Sequence, residues 1–180
     1  MATNITDLRP ALSREINPPG FEQYPDIGGS ELDGYILDGF WESKLLSMLA
    51  AYDVIAGEDL DTPVANTNWF ITTGSTDDTA LTDMAAHIQM LVVIFAGFRL
   101  LRTKALNLAT NFSAKAGPVE YEQQVSATVL RAILQSLERR LEQLKVLYSD
   151  ELGDSTIYYM DGVYQREYAL INSLPQMAIL

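Results

Sequence analysis

A regular spacing of apolar residues in the second half of the chain most constrains its fold. Six apolar residues recur at steps of four, three, four, three and four positions: Leu130, Leu134, Leu137, Leu141, Leu144 and Tyr148. This spacing places them along one side of an α-helix, and Pro118 suits the first position of that helix. We therefore predict a long helix over residues 118–148. Its leucine seam packs either on another helix of the same chain or on a second copy.

A second helical pattern lies upstream, over residues 81–112. Its stretch from Ile88 to Phe98 is apolar on nearly every side. A helix of this kind must be covered on several sides, so we expect it to be buried by its own chain and by neighbouring subunits. The apolar stretch is about half of the roughly 20 residues needed to cross a bilayer, and no membrane span is predicted.

Two shorter elements are expected before these helices. Apolar spacing predicts a first helix over Asp38 to Ala56, with a start as early as Ser30, and Gly57 ends it. A short strand is predicted over Asn68 to Thr72. Prolines and glycines interrupt residues 1–30, which are predicted to be either disordered or an extended strap that orders on a partner.

The C-terminal part has a β-like pattern. Asp161-Gly162 separates the β-prone runs 156–160 and 163–168, and this dipeptide is the preferred two-residue turn of a β-hairpin. Residues 169–180 are apolar and carry no charged side chain. Because an apolar tail in water promotes aggregation, we expect it to dock on its own chain or on a neighbour.

Together these patterns predict a mainly α fold: a helical bundle with two long helices, a C-terminal β-hairpin and extended N- and C-terminal arms. The predicted organisation is an N-terminal arm over 1–30, a helical bundle over 31–153, and the hairpin with a docking tail over 154–180.

Charge is unevenly distributed along the chain. The net charge of −12 divides into −11 for residues 1–80, +3 for 81–149 and −4 for 150–180. An acidic chain is a poor general binder of nucleic acid, because affinity for duplex DNA comes mainly from Lys and Arg. The chain has no cysteine and one histidine, so disulfides, thiolate nucleophiles and cysteine zinc sites are excluded.

No spacing of polar residues indicates catalysis. Asp83 and His87 lie one helical turn apart, but nothing makes Asp77 and Asp78 converge with them, and those two acids suit a helix N-terminus. The acids at 58–61 lack the pattern of a calcium loop. We predict no catalytic residue, no metal ligand and no cofactor. A small metal-dependent hydrolase that uses Asp83 and His87 is the alternative from a different functional class.

A basic cluster interrupts the acidic surroundings, and its members are Arg99, Arg102, Lys104 and Lys115. With Phe98 and Phe112 nearby, the cluster suits contact with nucleic acid. Contact with the acidic N-terminal region of a neighbouring subunit is the preferred interpretation, since opposite charges on two parts of one chain favour head-to-tail packing in a ring.

Residues Ala80 to Gly153 resemble the head–tail adaptor (connector) proteins of tailed bacteriophages. The resembling features are the apolar helix from Met84 to Leu101, the break from Ser113 to Pro118, and Tyr121-Glu122 at the start of a leucine-rich helix. The resembling stretch covers less than half of the chain.

The resemblance implies a structural virion protein of the neck, assembled in the host cytoplasm. Its homo-oligomeric ring, commonly of twelve copies, would lie between the portal protein and the tail or tail-completion protein, and DNA would pass through the lumen without specific binding. Adaptors of this kind grip the portal with an extended C-terminal segment. The partner-binding residues implied here are Tyr164, Tyr168, Leu170, Ile171, Leu174, Met177, Ile179 and Leu180. A tail-completion protein or another neck protein is the related alternative.

Overall fold

A computed structural model describes residues 3–17, 27–44, 46, 49, 52–56, 69–73, 84–112 and 119–174. Its elements are β1 (Thr3–Asn4), α1 (Ile5–Ile16), α2 (Gly29–Ser43), β2 (Tyr52–Ala56), β3 (Trp69–Thr73), α3 (Ala86–Phe112) and α4 (Val119–Asn172). The described residues are mainly helical, as predicted. They belong to two compact units, one of Met1–Arg14 with Asp26–Ala96 and the other of Glu15–Pro25 with Gly97–Leu180. This division falls within α3.

The strands form a small antiparallel sheet in the first unit. Their order is β1-β3-β2, and Val54 of β2 lies opposite Ile71 of β3. The strand predicted over Asn68 to Thr72 is confirmed, displaced by one residue.

The prediction of an extended N-terminal arm is wrong for the described residues of that segment, because α1 forms there. The backbone N–H of Thr6 donates to Asn4 Oδ1 over 3.0 Å, which caps the helix. Its apolar residues recur every three or four positions and are buried: Ile5, Leu8, Leu12 and Ile16. Pro10 lies inside the helix with an exposed side chain. Burial of four large side chains outweighs the interior proline, which costs about 3 kcal/mol.

The predicted first helix has different bounds. Helix α2 begins at Gly29 and ends at Ser43, and residues 52–56, expected to be helical, form β2. The Ser43 hydroxyl donates to the Phe40 carbonyl over 2.8 Å, taking up an acceptor at the helix end. The β-branched residues Val54 and Ile55 favour a strand.

Helices α2 and α3 approach each other closely in the first unit. A Cβ atom added to Gly39 would lie 2.4 Å from the backbone nitrogen of Ala96 and 2.8 Å from the carbonyl oxygen of Val92. The absence of a side chain at Gly39 therefore allows the two backbones to meet.

Helix α3 confirms the predicted second helix over residues 86–112, whereas Met84 and Ala85, which the prediction included, are not helical. The prediction that Ile88–Phe98 is buried is confirmed: Leu91, Val92, Phe95 and Phe98 are each at most 1% exposed. The stretch Ala86–Asn107, with a mean hydropathy of 1.3, is long and apolar enough to cross a membrane. However, 61% of this apolar stretch is buried within the protein. Buried core helices often have the same length and hydropathy.

Helix α4 contains two helical segments. Tyr148 and Gly153 have non-helical backbone angles, and Gly153 has a φ of 70°. The first segment, residues 119–147, matches the predicted helix over 118–148. The seam residues Leu130, Leu134, Leu137, Leu141 and Leu144 are buried. A Cβ added to Gly97 of α3 would lie 2.7 Å from Leu137 Cδ2, so the seam packs on α3 of its own chain at this point.

The predicted C-terminal β-hairpin is wrong, because residues 154–172 form the second segment of α4. Gly153 is the one glycine with positive φ among the described residues, so Gly162 does not adopt the turn conformation. The buried positions in this segment have helical spacing: Thr156, Met160, Val163, Tyr164, Glu167 and Ile171. The described part of the predicted extended C-terminal arm, through Asn172, is therefore helical as well.

Candidate partner-binding site

The two segments of α4 run antiparallel in the second unit. The Lys145 ammonium pairs with Asp161, the Tyr164 hydroxyl hydrogen-bonds to Glu138, and Arg131 Nη2 donates to the Leu174 carbonyl over 3.3 Å. Residues with lower numbers in the first segment contact residues with higher numbers in the second. This order of contacts defines a helical hairpin whose turn lies between Tyr148 and Gly153.

A groove of about 350 Å³ lies along this hairpin, and its volume is near the lower end of the usual range for ligand pockets, about 300–1,000 Å³. The residues that line it are Arg131, Leu134, Gln135, Glu138, Tyr164, Tyr168 and Asn172. The first four come from one segment and the last three from the other, at helical spacing on both. Polar groups therefore converge between two well-formed helices.

Tyr164 closes one end of the groove. Burial, followed by the hydrogen bond to the Glu138 carboxylate, raises the pKa of Tyr164 to about 12. Its ring centroid lies 6.4 Å from that of Phe98 and 5.9 Å from that of Tyr168. Tyr164 is thus neutral at physiological pH, and its phenolic O–H donates to Glu138.

Lys145 also stabilises the hairpin near its turn. Burial lowers the pKa of this lysine, but hydrogen bonds to Asp161 and Glu142 more than offset the effect, so its pKa is raised overall. The distance from Lys145 Nζ to Glu142 Oε1 is 2.8 Å. One ammonium group therefore connects both segments of α4.

Arg131 lies at the opposite end of the groove from Glu138. Its Nε atom is buried and has no hydrogen-bond acceptor among the described residues. Three other arginines donate Nε to a carboxylate: Arg9 to Asp33 over 2.6 Å, Arg140 to Glu15 over 2.7 Å, and Arg166 to Glu167 over 2.9 Å. Arg131 differs from these three in that its described contact is with a carbonyl oxygen. Arg14 also donates to a carbonyl, that of Pro10, over 3.3 Å.

Large apolar side chains are exposed near the turn of the hairpin. Val146 is 79% exposed, Leu147 is 69% exposed and Tyr158 is 76% exposed. Where exposed apolar side chains form one surface, they are typical of protein contact sites. We call these three residues the turn patch.

The predicted partner-binding residues differ in exposure within the described part of the chain. Tyr168 is half exposed and lies in the groove with Tyr164, whereas Ile171 and Leu174 are buried in the protein. Leu170 is partly exposed. The other three predicted residues, Met177, Ile179 and Leu180, lie outside the described residues.

The predicted basic cluster lies on α3. Arg99, Arg102 and Lys104 are partly exposed, and Thr103 between them donates its hydroxyl to the Arg99 carbonyl over 3.1 Å. Lys115, the fourth member, lies outside the described residues. The three described members of the cluster therefore all lie on α3, in the second unit.

The residues considered for metal binding are described only in part. His87 lies in the first turn of α3 and is partly exposed, whereas Asp77, Asp78 and Asp83 fall outside the described residues, as do the acids at 58–61. Over the described ranges, no group of three His, Asp or Glu side chains is arranged to hold a metal ion.

Sequence reasoning did not find Arg131, Gln135, Glu138 or Asn172. The first three recur at steps of four and three beside the leucine seam, and this spacing was a detectable signal of a polar stripe. The facing residues were assigned to a hairpin and an extended tail, so the stripe had no opposing helix in the prediction.

Comparison with known proteins provides no relative. No protein-family model, curated protein or solved structure matches the chain. A proposal for its function therefore depends on its own residues and geometry.

Proposed function

We propose that this chain is a structural virion protein, a head–tail adaptor that assembles with its own copies as a ring between portal and tail. The turn patch is the observation that carries the assembly part of the proposal. Its three large apolar side chains remain in water on the isolated chain, and covering them with another protein is favourable at about 25 cal/mol per Å² of apolar area.

The adaptor part is supported by the resemblance over Ala80–Gly153. The described portion of that stretch includes the apolar helix α3 and the leucine-rich first segment of α4, which carry two of the three resembling features. The third, the break from Ser113 to Pro118, lies outside the described residues. At Leu137 the seam packs inside the chain, which leaves other surfaces for contacts between copies.

Charge supports head-to-tail contact between copies. The strongly acidic residues 1–80 and the net positive residues 81–149 belong to one chain, so a neighbour presents the opposite charge to each. An acidic lumen would also repel phosphate groups, and DNA would slide through it without being held.

Light scattering of the purified chain, alone and mixed with its candidate portal protein, tests the proposal. We expect a large closed oligomer in at least one of the two samples. Leu147→Glu should weaken assembly, because it places a charge in the turn patch, while the circular dichroism spectrum stays that of the parent. Gln143→Glu is the matched control, since it adds the same charge at an exposed polar position of the same segment.

A chain that stays monomeric with the portal would contradict the adaptor proposal. Assembly with a tail protein instead of the portal would favour the related role of a tail-completion protein. Unchanged assembly of Leu147→Glu would show that the turn patch is not the interface. A rise in melting temperature with a divalent ion would favour the hydrolase alternative, because a ligand of the native state stabilises it.

A further inference from the structure

The groove along α4 has a positive end and a negative end. Arg131 and Glu138 are seven residues apart on one helical segment, which places them about 10 Å apart along its axis. A ligand that spans the groove therefore meets a guanidinium group at one end and a carboxylate at the other.

The positive end has the capacity for a further acceptor. The bond from Arg131 Nη2 to Leu174 is 3.3 Å long, which exceeds the usual N–H···O range of about 2.7–3.2 Å. The buried Nε atom of Arg131 has no acceptor among the described residues, and leaving a buried donor unsatisfied destabilises the protein. A carboxylate would form stronger, charge-assisted bonds with the guanidinium than a carbonyl does.

The middle of the groove suits a peptide backbone. Gln135 contributes an amide, and Tyr168, a half-exposed residue, contributes a hydroxyl. Both groups donate and accept hydrogen bonds. Asn172 adds a second amide, whose Nδ2 donates to the Tyr168 carbonyl over 3.0 Å.

The geometry points to this groove as a binding site for an extended peptide segment of a partner protein, with an acidic side chain at Arg131 and a basic side chain at Glu138. The first and third residues of an extended segment lie about 7 Å apart, and long acidic and basic side chains can bridge the remaining distance to the two charged ends. The chemistry of the groove is the same whichever protein supplies the segment, so the site does not depend on the identity of the assembly.

NMR spectroscopy of the full-length ¹⁵N-labelled chain tests this site through the Nε–Hε signal of Arg131. The probe is the peptide acetyl-Glu-Ala-Lys-amide, and we expect a saturable shift of that signal. The peptide acetyl-Gln-Ala-Lys-amide should bind about tenfold more weakly or worse, because it lacks the hydrogen bond between charged groups. This comparison leaves the protein unchanged.

Two variants complete the test, and because Arg131→Gln removes the Arg131 signal, binding to both is followed through the side-chain amide signal of Gln135, which also lines the groove. Arg131→Gln should weaken binding by about the same factor, whereas Arg139→Gln should leave it unchanged, because Arg139 is an exposed neighbour that does not line the groove. Equal binding of the two peptides, or undiminished binding to Arg131→Gln, would overturn the proposal. A shift of the Arg131 signal on shortening the chain to end at Gln176, without peptide, would assign the site to the chain's own C-terminus and would also overturn it.

Discussion

Replacing Gly39 with alanine should destabilise the first unit strongly. The added Cβ would lie 2.4 Å from Ala96 N, 2.7 Å from Ala96 Cα and 2.8 Å from Val92 O. Restoring an ordinary contact of 3.4 Å at the nearest atom requires a displacement of 1.0 Å. All three atoms belong to backbone, so no side-chain rotation relieves the overlap, and α2 and α3 must move apart.

The size of the effect follows from two opposing terms. Overpacking costs about 1–3 kcal/mol, at times more, and we expect the upper end because a gap of about 1 Å forfeits up to half of the dispersion energy of facing atoms. Alanine recovers about 1 kcal/mol of helix propensity relative to glycine. The expected net loss is about 2 kcal/mol or more, which lowers Tm by about 4 °C or more in a chain of this size.

Gly34→Ala is the matched control on the same helix. Gly34 is exposed, and no atom lies within 4 Å of an added Cβ. Only the propensity term remains, so Tm should rise by about 2–4 °C. Thermal denaturation followed by circular dichroism measures both variants. If Gly39→Ala is as stable as Gly34→Ala, the close approach of α2 and α3 does not exist and the reasoning fails.

Two glycines of α4 should respond with opposite signs in chemical denaturation. Gly162→Ala should stabilise by about 1 kcal/mol, because Gly162 lies in an open position of a helix; a loss of stability would instead indicate a turn with positive φ. Gly153→Ala should destabilise by about 1–3 kcal/mol, since a φ of 70° with a ψ of 160° is strained for any other residue, and an unchanged midpoint would contradict that conformation. Tyr164 should titrate near pH 12, which absorbance at 295 nm measures as the difference between the parent and Tyr164→Phe. Because the folded state keeps this proton to a higher pH than the unfolded chain, where the tyrosine pKa has its ordinary value of 10.0, stability should fall as pH rises from 10.0 to about 12. The raised pKa of Lys145 acts in the same direction. If Tyr164→Phe loses stability as steeply as the parent over this pH range, Tyr164 does not have the role assigned to it.

The long helices could be predicted from the sequence because residues buried along one side of a helix recur every three or four positions. The seam from Leu130 to Leu144 is buried along one side of α4, and the helix begins at Val119, directly after Pro118. The non-helical angles at Tyr148 coincide with the predicted end of that helix. Each of these features depends on residues close together in the chain, so local spacing and local backbone chemistry were sufficient.

The errors arose where local signals supported two structures. Asp161-Gly162 between aromatic and β-branched residues favours a hairpin, yet Thr156, Met160 and Val163 also have helical spacing. The prolines of residues 1–30 favoured an extended arm, while Ile5, Leu8 and Leu12 already had the spacing of an amphipathic helix. In both cases the structure agrees with the helical spacing of the apolar residues and not with the turn or proline signals. A helix with such spacing needs a surface on which its apolar side can pack.

The sequence by itself determined that the chain is mainly helical, where its two longest helical patterns lie, and that its charge is divided between an acidic start and a more basic middle. Only the tertiary structure decided that residues 154–172 fold back as a helix and that Arg131, Glu138, Tyr164 and Tyr168 share one groove. The physical reason is that a glycine accepts either sign of φ. The choice between turn and helix at Gly162 therefore depends on the side chains that the distant first segment of α4 and α3 offer for burial.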